Sequence, residues 1–321
     1  MRIVVTGAAG FIGSHLSESL LADGHEIVGV DNFDDFYEPE RKRRNLATAM
    51  ADSRFEFAEA DIRNTEAVRS ALVGADSVVH LAARPGVRPS FARPDAYAQA
   101  NVVGTATLLE VLTSLEITRL IFISSSSVYG EGAQSPFRED GDTGVPKSPY
   151  AATKLAGEAL CRTFSHCIAH IAVLRLFSVY GPRQRPDLAL QTFARCIQAG
   201  EPIPILGPTS SYRDYTYVDD IVSGIKQSLR VDEPWLTLNL GSGSPVTLEE
   251  MITGLEQALG RQARRNTLAA HPGDLFGTWA DVRAAEETLG FRPQWTFERG
   301  VRAFVEWFLA ESGAERGAPS R

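Results

Sequence analysis

The sequence predicts an α/β protein: a doubly wound parallel sheet with a smaller C-terminal α/β lobe packed over its edge. Three observations predict it. Short, nearly continuous apolar runs alternate with helical patterns through the first 180 residues, as in a parallel sheet covered on both faces. The first run, "RIVVTG", passes directly into a glycine-rich turn and a helix-forming stretch. After Gly181 the alternation gives way to mixed helices, short strands and Pro/Gly-rich loops.

Taken in order, residues 2–7 read as a strand, Phe11–Ala22 as a helix, and 26–31 and 54–61 as strands. Residues 67–74 read as a helix, 77–83 as a strand and 100–115 as a helix. "RLIFISSSSVYG" (119–130) opens as a strand, a helix starts near Pro149, and "IAVLRLFSVYG" (171–181) is one further strand. Right-handed crossovers make such a series doubly wound. Beyond Gly181, 182–187 is irregular, 188–200 a helix, 202–207 a short strand, 221–230 a helix and 237–243 another strand. From 247 to about 312, helices mix with loops, and the tail from Ala310 reads as frayed or disordered. The expected division is a dinucleotide-binding domain over 1–180, with returning segments near 213–242, and a mainly substrate-binding lobe over 181–321.

Charge and cysteines narrow the function. A net charge of −8 argues against a general binder of nucleic acid or anionic membrane. The one basic cluster, "RKRR" at 41–44, follows an acidic stretch and reads equally as a solvated helix start or a ligand contact. Cys161, Cys167 and Cys196 form no even framework and no zinc-like spacing, so a reducing, cytoplasmic setting is expected. His166 and His170 stand four apart but lead into a strand without a third ligand, so no metal is expected. The apolar start is broken at Gly7, too short to span a bilayer or act as a signal peptide.

"TGAAGFIGSHL" places Gly7, Gly10 and Gly13 where a strand turns into a helix. Glycine permits the tight turn and lets backbone approach a pyrophosphate, which then meets the free N–H groups of the helix start. Asp31 ends the next strand, where a carboxylate accepts from a ribose diol and repels a 2′-phosphate. NAD rather than NADP is therefore expected.

"SPYAATK" sets Tyr150 and Lys154 one helical turn apart on one face. A phenol titrates near ~10 in water, and a nearby ammonium favours its phenolate. Such a phenolate takes the proton of a secondary alcohol while hydride leaves the carbon for NAD. The serines of "IFISSSSVYG" emerge from their strand at the edge facing the cofactor, where one hydroxyl bridges substrate oxygen and tyrosine. Each feature alone reads as ordinary structure; the combination reads as a site.

These stretches, with "VDNF", "ADI", "HLAA", "RLFSVYGP", "RDYTYVDDI" and "PGDLFGTWAD", resemble the extended short-chain dehydrogenase/reductase superfamily, in particular its nucleotide-sugar epimerases and dehydratases, over nearly the whole chain. The resemblance implies that Gly7, Gly10, Phe11, Ile12 and Gly13 surround the pyrophosphate of NAD. Asp31 and Asn32 hold the adenosine ribose, Asp61 and Ile62 flank the adenine, and Leu81, Ala82 and Ala83 line the cofactor cleft. Ser125, Tyr150 and Lys154 become the catalytic set, with Tyr150 the base and Lys154 its tuner and a contact to the nicotinamide ribose.

"DNFDDFY", "GVRPS" and "YGPRQRPDLAL" are most similar to the UDP-glucuronate 4-epimerases. That implies proton removal from the C4 hydroxyl, hydride transfer to NAD, turning of the 4-keto sugar and hydride return to its other face. A UDP-glucose 4-epimerase is the nearest alternative, then a UDP-glucuronate decarboxylase, then a non-catalytic NAD-binding regulator. Related dehydratases carry Asp-Glu, and decarboxylases Glu, just before "VYG"; here Ser126 and Ser127 stand there. With Ser178 they are expected to hold the substrate carboxylate in plane, or else they simply end a strand. Arg88, Arg185 and Arg213 are candidates for the carboxylate or diphosphate, or else surface residues, and Asp274 of "PGD" is a further substrate contact. Arg84, Ser178 and His271 depart from the pattern, where a neutral residue, a threonine and a Gln or Arg are usual. Helices near 95–115 and 150–165 are expected to pair across a two-fold axis in a homodimer.

Overall fold

The structure, a computed structural model, describes residues 1–317. Strand β1 (Arg2–Thr6) leads into helix α1 (Phe11–Ala22) and strand β2 (Glu26–Asp31). Two short helices, α2 (Pro39–Asn45) and α3 (Ala47–Met50), precede β3 (Phe55–Glu59), α4 (Thr65–Leu72) and β4 (Ser77–His80). Helix α5 (Pro94–Ala98) continues through a π-helical turn, Gln99–Val103, into α6 (Gly104–Ser114). Strand β5 (Arg119–Ser125) ends in a 3₁₀ turn, Ser126–Tyr129, and α7 (Pro149–Thr163), β6 (His170–Leu176) and β7 (Ser178–Tyr180) follow.

The second half comprises α8 (Ala189–Ala199), β8 (Pro202–Leu206), β9 (Tyr212–Tyr217), α9 (Val218–Ser228), β10 (Trp235–Leu240) and β11 (Pro245–Thr247). Helix α10 (Leu248–Leu259), β12 (Arg264–Leu268), β13 (Gly277–Thr278), α11 (Arg283–Leu289) and α12 (Phe297–Gly317) complete it.

Seven parallel strands form the main sheet in the order β3-β2-β1-β4-β5-β6-β10. Their apolar character has a direct cause: Ile3, Val4 and Val5, Val78 and Val79, and Leu120–Ile123 are buried between helices on both faces. The strand order reverses between β1 and β4, and such a reversal opens a crevice beyond the strands' C-terminal ends. The doubly wound sheet is as expected, and β10 joins it from the second half of the chain.

The expected single strand over 171–181 is two strands. The chain leaves the main sheet at Phe177, whose N–H donates to the Leu240 carbonyl; β7 then pairs with β9 in a separate small sheet. The expected strand 77–83 ends at His80, and the helix expected from residue 100 already begins at Pro94. Strand β9 also carries β11 and β13, while β12 pairs with β8. The expected fraying from Ala310 is not found as far as Gly317, which α12 reaches; 318–321 lie outside the described residues.

Candidate active site

A cleft of about 780 Å³ opens at the strand-order reversal and runs into the C-terminal lobe. Gly7, Gly10, Phe11, Ile12 and Gly13 line one end. Gly7 has φ +74°, and a Cβ on it would stand 2.8 Å from the Ala82 nitrogen. A Cβ on Gly13 would stand 2.1 Å from the Gly7 carbonyl oxygen. No side chain caps α1, so the N–H groups of its first turn, beside the cleft, have no side-chain acceptor.

Asp31 sits at the end of β2 with one carboxylate oxygen accepting from Ala9 N (3.1 Å) and the other from Phe33 N (2.9 Å). Burial raises its pKa, and the Lys42 charge opposes that rise. Lys42 is itself buried; it donates to the Asp34 carbonyl at 2.6 Å and lies 4.8 Å over the Tyr37 ring. The sequence left "RKRR" open between solvated helix and ligand contact. The structure splits it: Lys42 lines the cleft, while Arg41 and Arg43 pair with Glu38 and Glu40. Asn32 donates to Asp61 at 3.0 Å, and the Arg63 hydrogen bond holds the Asp61 carboxyl down to about 2. Ile62, Leu81, Ala82 and Ala83 complete this half of the cleft.

Helix α7 begins where expected, because Ser148 caps it by accepting from Ala151 N at 3.1 Å and Pro149 occupies its first turn. Tyr150 and Lys154 consequently face the cleft together with Ser125, Ser126 and Ser127 at the end of β5. Burial raises the Tyr150 pKa; the Ser125 hydroxyl and the Arg185 charge oppose that rise. The sequence assigned this tuning to Lys154. Instead its ammonium donates to the Ile123 carbonyl at 2.8 Å, and burial brings its pKa down to about 8. Ser127 N donates to Ser125 Oγ (3.2 Å), and the two hydroxyls lie 3.1 Å apart.

Beyond the serines the cleft is bounded by Ser178, Arg185, Arg213 and Asp274. Arg185 grips Asp187 through two 2.9 Å bonds; burial works against its charge, but this carboxylate holds its pKa above the usual value. Arg213 donates only to carbonyl oxygens, those of Tyr212 (2.7 Å), Leu275 (2.8 Å) and Phe276 (3.2 Å). It is thus a partly buried cation with no carboxylate bonded to it among the described residues, facing a cleft. Arg88 is the one nominated residue that does not line the cleft: it points to Asp274, at 2.7 Å, and is half exposed. His271 is also outside the lining, accepting from Gly273 N (3.0 Å) beside the Phe91 ring.

Arg84 does line the cleft, paired with Asp34 at 2.7 Å. Tyr37, Phe36 and Tyr215 also line it, and sequence reasoning missed all three. Two of the three acidic residues of "RDYTYVDDI" are structural: Asp214 accepts from Ser242 N, Gly243 N and Ala280 N, and Asp220 from Gln294 N and Trp295 N. Among the described residues no helix is long and apolar enough to cross a membrane, and no three His, Cys, Asp or Glu side chains cluster as metal ligands.

Known proteins resemble the chain over nearly its whole length. The model of the NAD dependent epimerase/dehydratase family matches residues 3–241. A UDP-glucuronate 4-epimerase from Thermodesulfobacterium geofontis (strain OPF15) is 38% identical over 308 residues, 95% of each chain. UDP-glucuronate 4-epimerase 4 of Arabidopsis thaliana is 36% identical over the whole of this chain and 78% of its own. The structure of UDP-glucuronic acid 4-epimerase from Bacillus cereus, in complex with UDP-glucuronic acid and NAD, is 36% identical and superposes with a TM-score of 0.92, covering 97% of this chain and all of that one. The chain belongs to the NAD dependent epimerase/dehydratase family.

Proposed function

We propose that this protein is an NAD-dependent isomerase that interconverts UDP-glucuronate and UDP-galacturonate by epimerisation at C4. One observation carries the reading: a phenol, a serine hydroxyl and a lysine line the same cleft as a glycine cradle and a partly buried guanidinium, Arg213, bonded to carbonyl oxygens.

The chain's residues fit the cofactor. Any Cβ at Gly7 or Gly13 would collide with backbone, so the loop keeps the close approach that a pyrophosphate needs. Gly7, Gly10, Phe11, Ile12 and Gly13 would hold that group, Asp31, Asn32 and Lys42 the adenosine ribose, and Asp61 and Ile62 the adenine. NAD supplies a reversible hydride acceptor beside the sugar.

Tyr150 takes the C4 hydroxyl proton, with Ser125 bridging the two oxygens, and returns it after the ring has turned. Lys154 holds a positive charge one helical turn behind the phenol. Ser126, Ser127 and Ser178 are neutral donors placed to keep the substrate carboxylate in the plane of the 4-keto ring, where its C–C bond does not break. Arg213 faces the diphosphate, and Arg185 contributes charge near the sugar. Arg88 acts through Asp274 rather than by direct contact. The cofactor-binding part is 1–180 with 213–242, and 181–321 mainly binds the nucleotide sugar.

We also infer a homodimer built on the α5–α6 and α7 faces, where Val103 is exposed, and a reducing, cytoplasmic setting for the free Cys161, Cys167 and Cys196. The deciding experiment offers UDP-glucuronate and UDP-glucose separately and resolves the products by NMR. UDP-galacturonate from the first, with little reaction of the second, supports the reading. UDP-galactose from the second alone, or a UDP-pentose as main product of the first, overturns it.

A further inference from the structure

Behind Lys154 lies a charged group that the chemistry described so far leaves unused. Glu158 follows Lys154 by one turn on the same face of α7 and is buried. Its carboxylate accepts from the Ser124 hydroxyl on β5 and from Arg175 on β6, through Nε at 3.0 Å and Nη2 at 2.7 Å. Arg175 lies over the Tyr129 ring, and Tyr129 donates to Asn239, so the group is fixed from three strands.

We propose that Glu158, clamped by Arg175 and Ser124, is a positioning residue that supplies the buried counter-charge of Lys154 and keeps it an ammonium in the working enzyme. This rests on the catalytic reading of Lys154 given above. The groups around Lys154 leave no other candidate. From α7 Cys161 acts on it, and burial pushes the Cys161 thiol up to about 12, so it is uncharged. From β5 it meets the Ile123 carbonyl and the Phe122 ring, and from β4 His80, a neutral imidazole bonded to Thr6 and Thr105. Burial lowers the Lys154 pKa while Cys161 and then Glu158 oppose that; with the thiol protonated, Glu158, one turn along the same face, is the anion left among them. A buried ion pair contributes little net stability compared with an apolar replacement, so this one has room for another role.

The sequence contains only four lysines, Lys42, Lys147, Lys154 and Lys226, so ¹³C-lysine NMR resolves each titration in the full-length protein with NAD bound. Glu158→Gln should lower the Lys154 midpoint, shifting its ammonium-to-amine ratio at fixed pH by about tenfold or more. Arg175→Gln should raise it by freeing the carboxylate. Glu158→Gln combined with Arg175→Met leaves no unpaired guanidinium behind, so it tests the idea if the single variant does not fold; its midpoint should also fall. An unmoved Lys154 midpoint in the folded Glu158 variants overturns the inference, whatever happens to turnover. A lowered midpoint with an unchanged pH profile of kcat would uphold the counter-charge and reject the catalytic use of Lys154.

Discussion

Gly13 gives the sharpest mechanical test of the cofactor loop. A methyl group there would sit 2.1 Å from the Gly7 carbonyl oxygen and 2.9 Å from the Ala8 Cα, against an ordinary contact of 3.4 Å or more. Both obstacles are backbone, so Gly13→Ala must move α1 and the loop apart by about 1 Å, an overpacking that costs roughly 1–3 kcal/mol. With an unfolding entropy of about 2.1 cal/mol/K per residue, 3 kcal/mol lowers Tm by about 4–5 °C for a chain of this size. The same movement takes first-turn N–H groups away from the pyrophosphate, and each lost charge-assisted hydrogen bond weakens NAD by about ten- to hundredfold. Gly254 supplies the control: it lies inside α10, and its added Cβ would meet Phe297 at a comfortable 3.5 Å. Gly254→Ala should therefore stabilise by about 0.5–1 kcal/mol and leave NAD affinity alone. Calorimetric melting and NAD titration read both variants. Parental Tm and NAD affinity in Gly13→Ala would refute the reasoning.

Three further outcomes follow from the site. Parent protein should bind NAD far more tightly than NADP, and Asp31→Ala should narrow the gap, since Lys42 remains to meet a 2′-phosphate; equal affinities in the parent, by calorimetry, would contradict this. His80 and His15 are held neutral by burial, at about 3 and about 4, below the ~6.5 of an unfolded chain. Their folded pKa values are depressed, so stability is full above pH ~6.5 and falls with acidification by about 2 kcal/mol per histidine at pH ~5. Denaturant melts of equal midpoint at those two pH values would count against it. Ser178→Ala should raise the UDP-pentose fraction formed from UDP-glucuronate by about ten- to hundredfold, for a lost bond to a charged group of roughly 1.5–3 kcal/mol. It is a cleaner probe than Ser127→Ala, because the Ser127 hydroxyl also touches Ser125.

The main sheet was legible because its strands are buried on both faces and read as unbroken apolar runs. Strand β12, "RRNTL", was not, since all five residues are exposed and nothing in their pattern marks a strand. The break at Phe177 was equally silent: the apolar run continues, and only the small sheet formed with β9 shows that the chain has changed partners. In the site, Gly13 and Asp31 announced themselves through spacing within the first strand–turn–helix–strand unit, and Tyr150 through its four-residue spacing to Lys154 on one helix. Lys42 did not, because its neighbours in sequence are solvated arginines and only the fold-back of α2 buries it against the Asp34 carbonyl. Arg88 and Asp274 lie 186 residues apart, so their pairing had no local signature.

The claim at the centre of the account is that one hydrogen leaves C4 of the sugar and the same hydrogen returns to the opposite face, with Tyr150 handling the proton on oxygen. UDP-glucuronate deuterated at C4, incubated with the enzyme in ordinary water and followed by NMR, tests it most directly. The account predicts UDP-galacturonate that keeps its deuterium at C4, and a Tyr150→Phe variant that still binds NAD but forms product orders of magnitude more slowly. Loss of the deuterium to water during inversion, or a phenylalanine variant turning over within a few-fold of the parent, would contradict it.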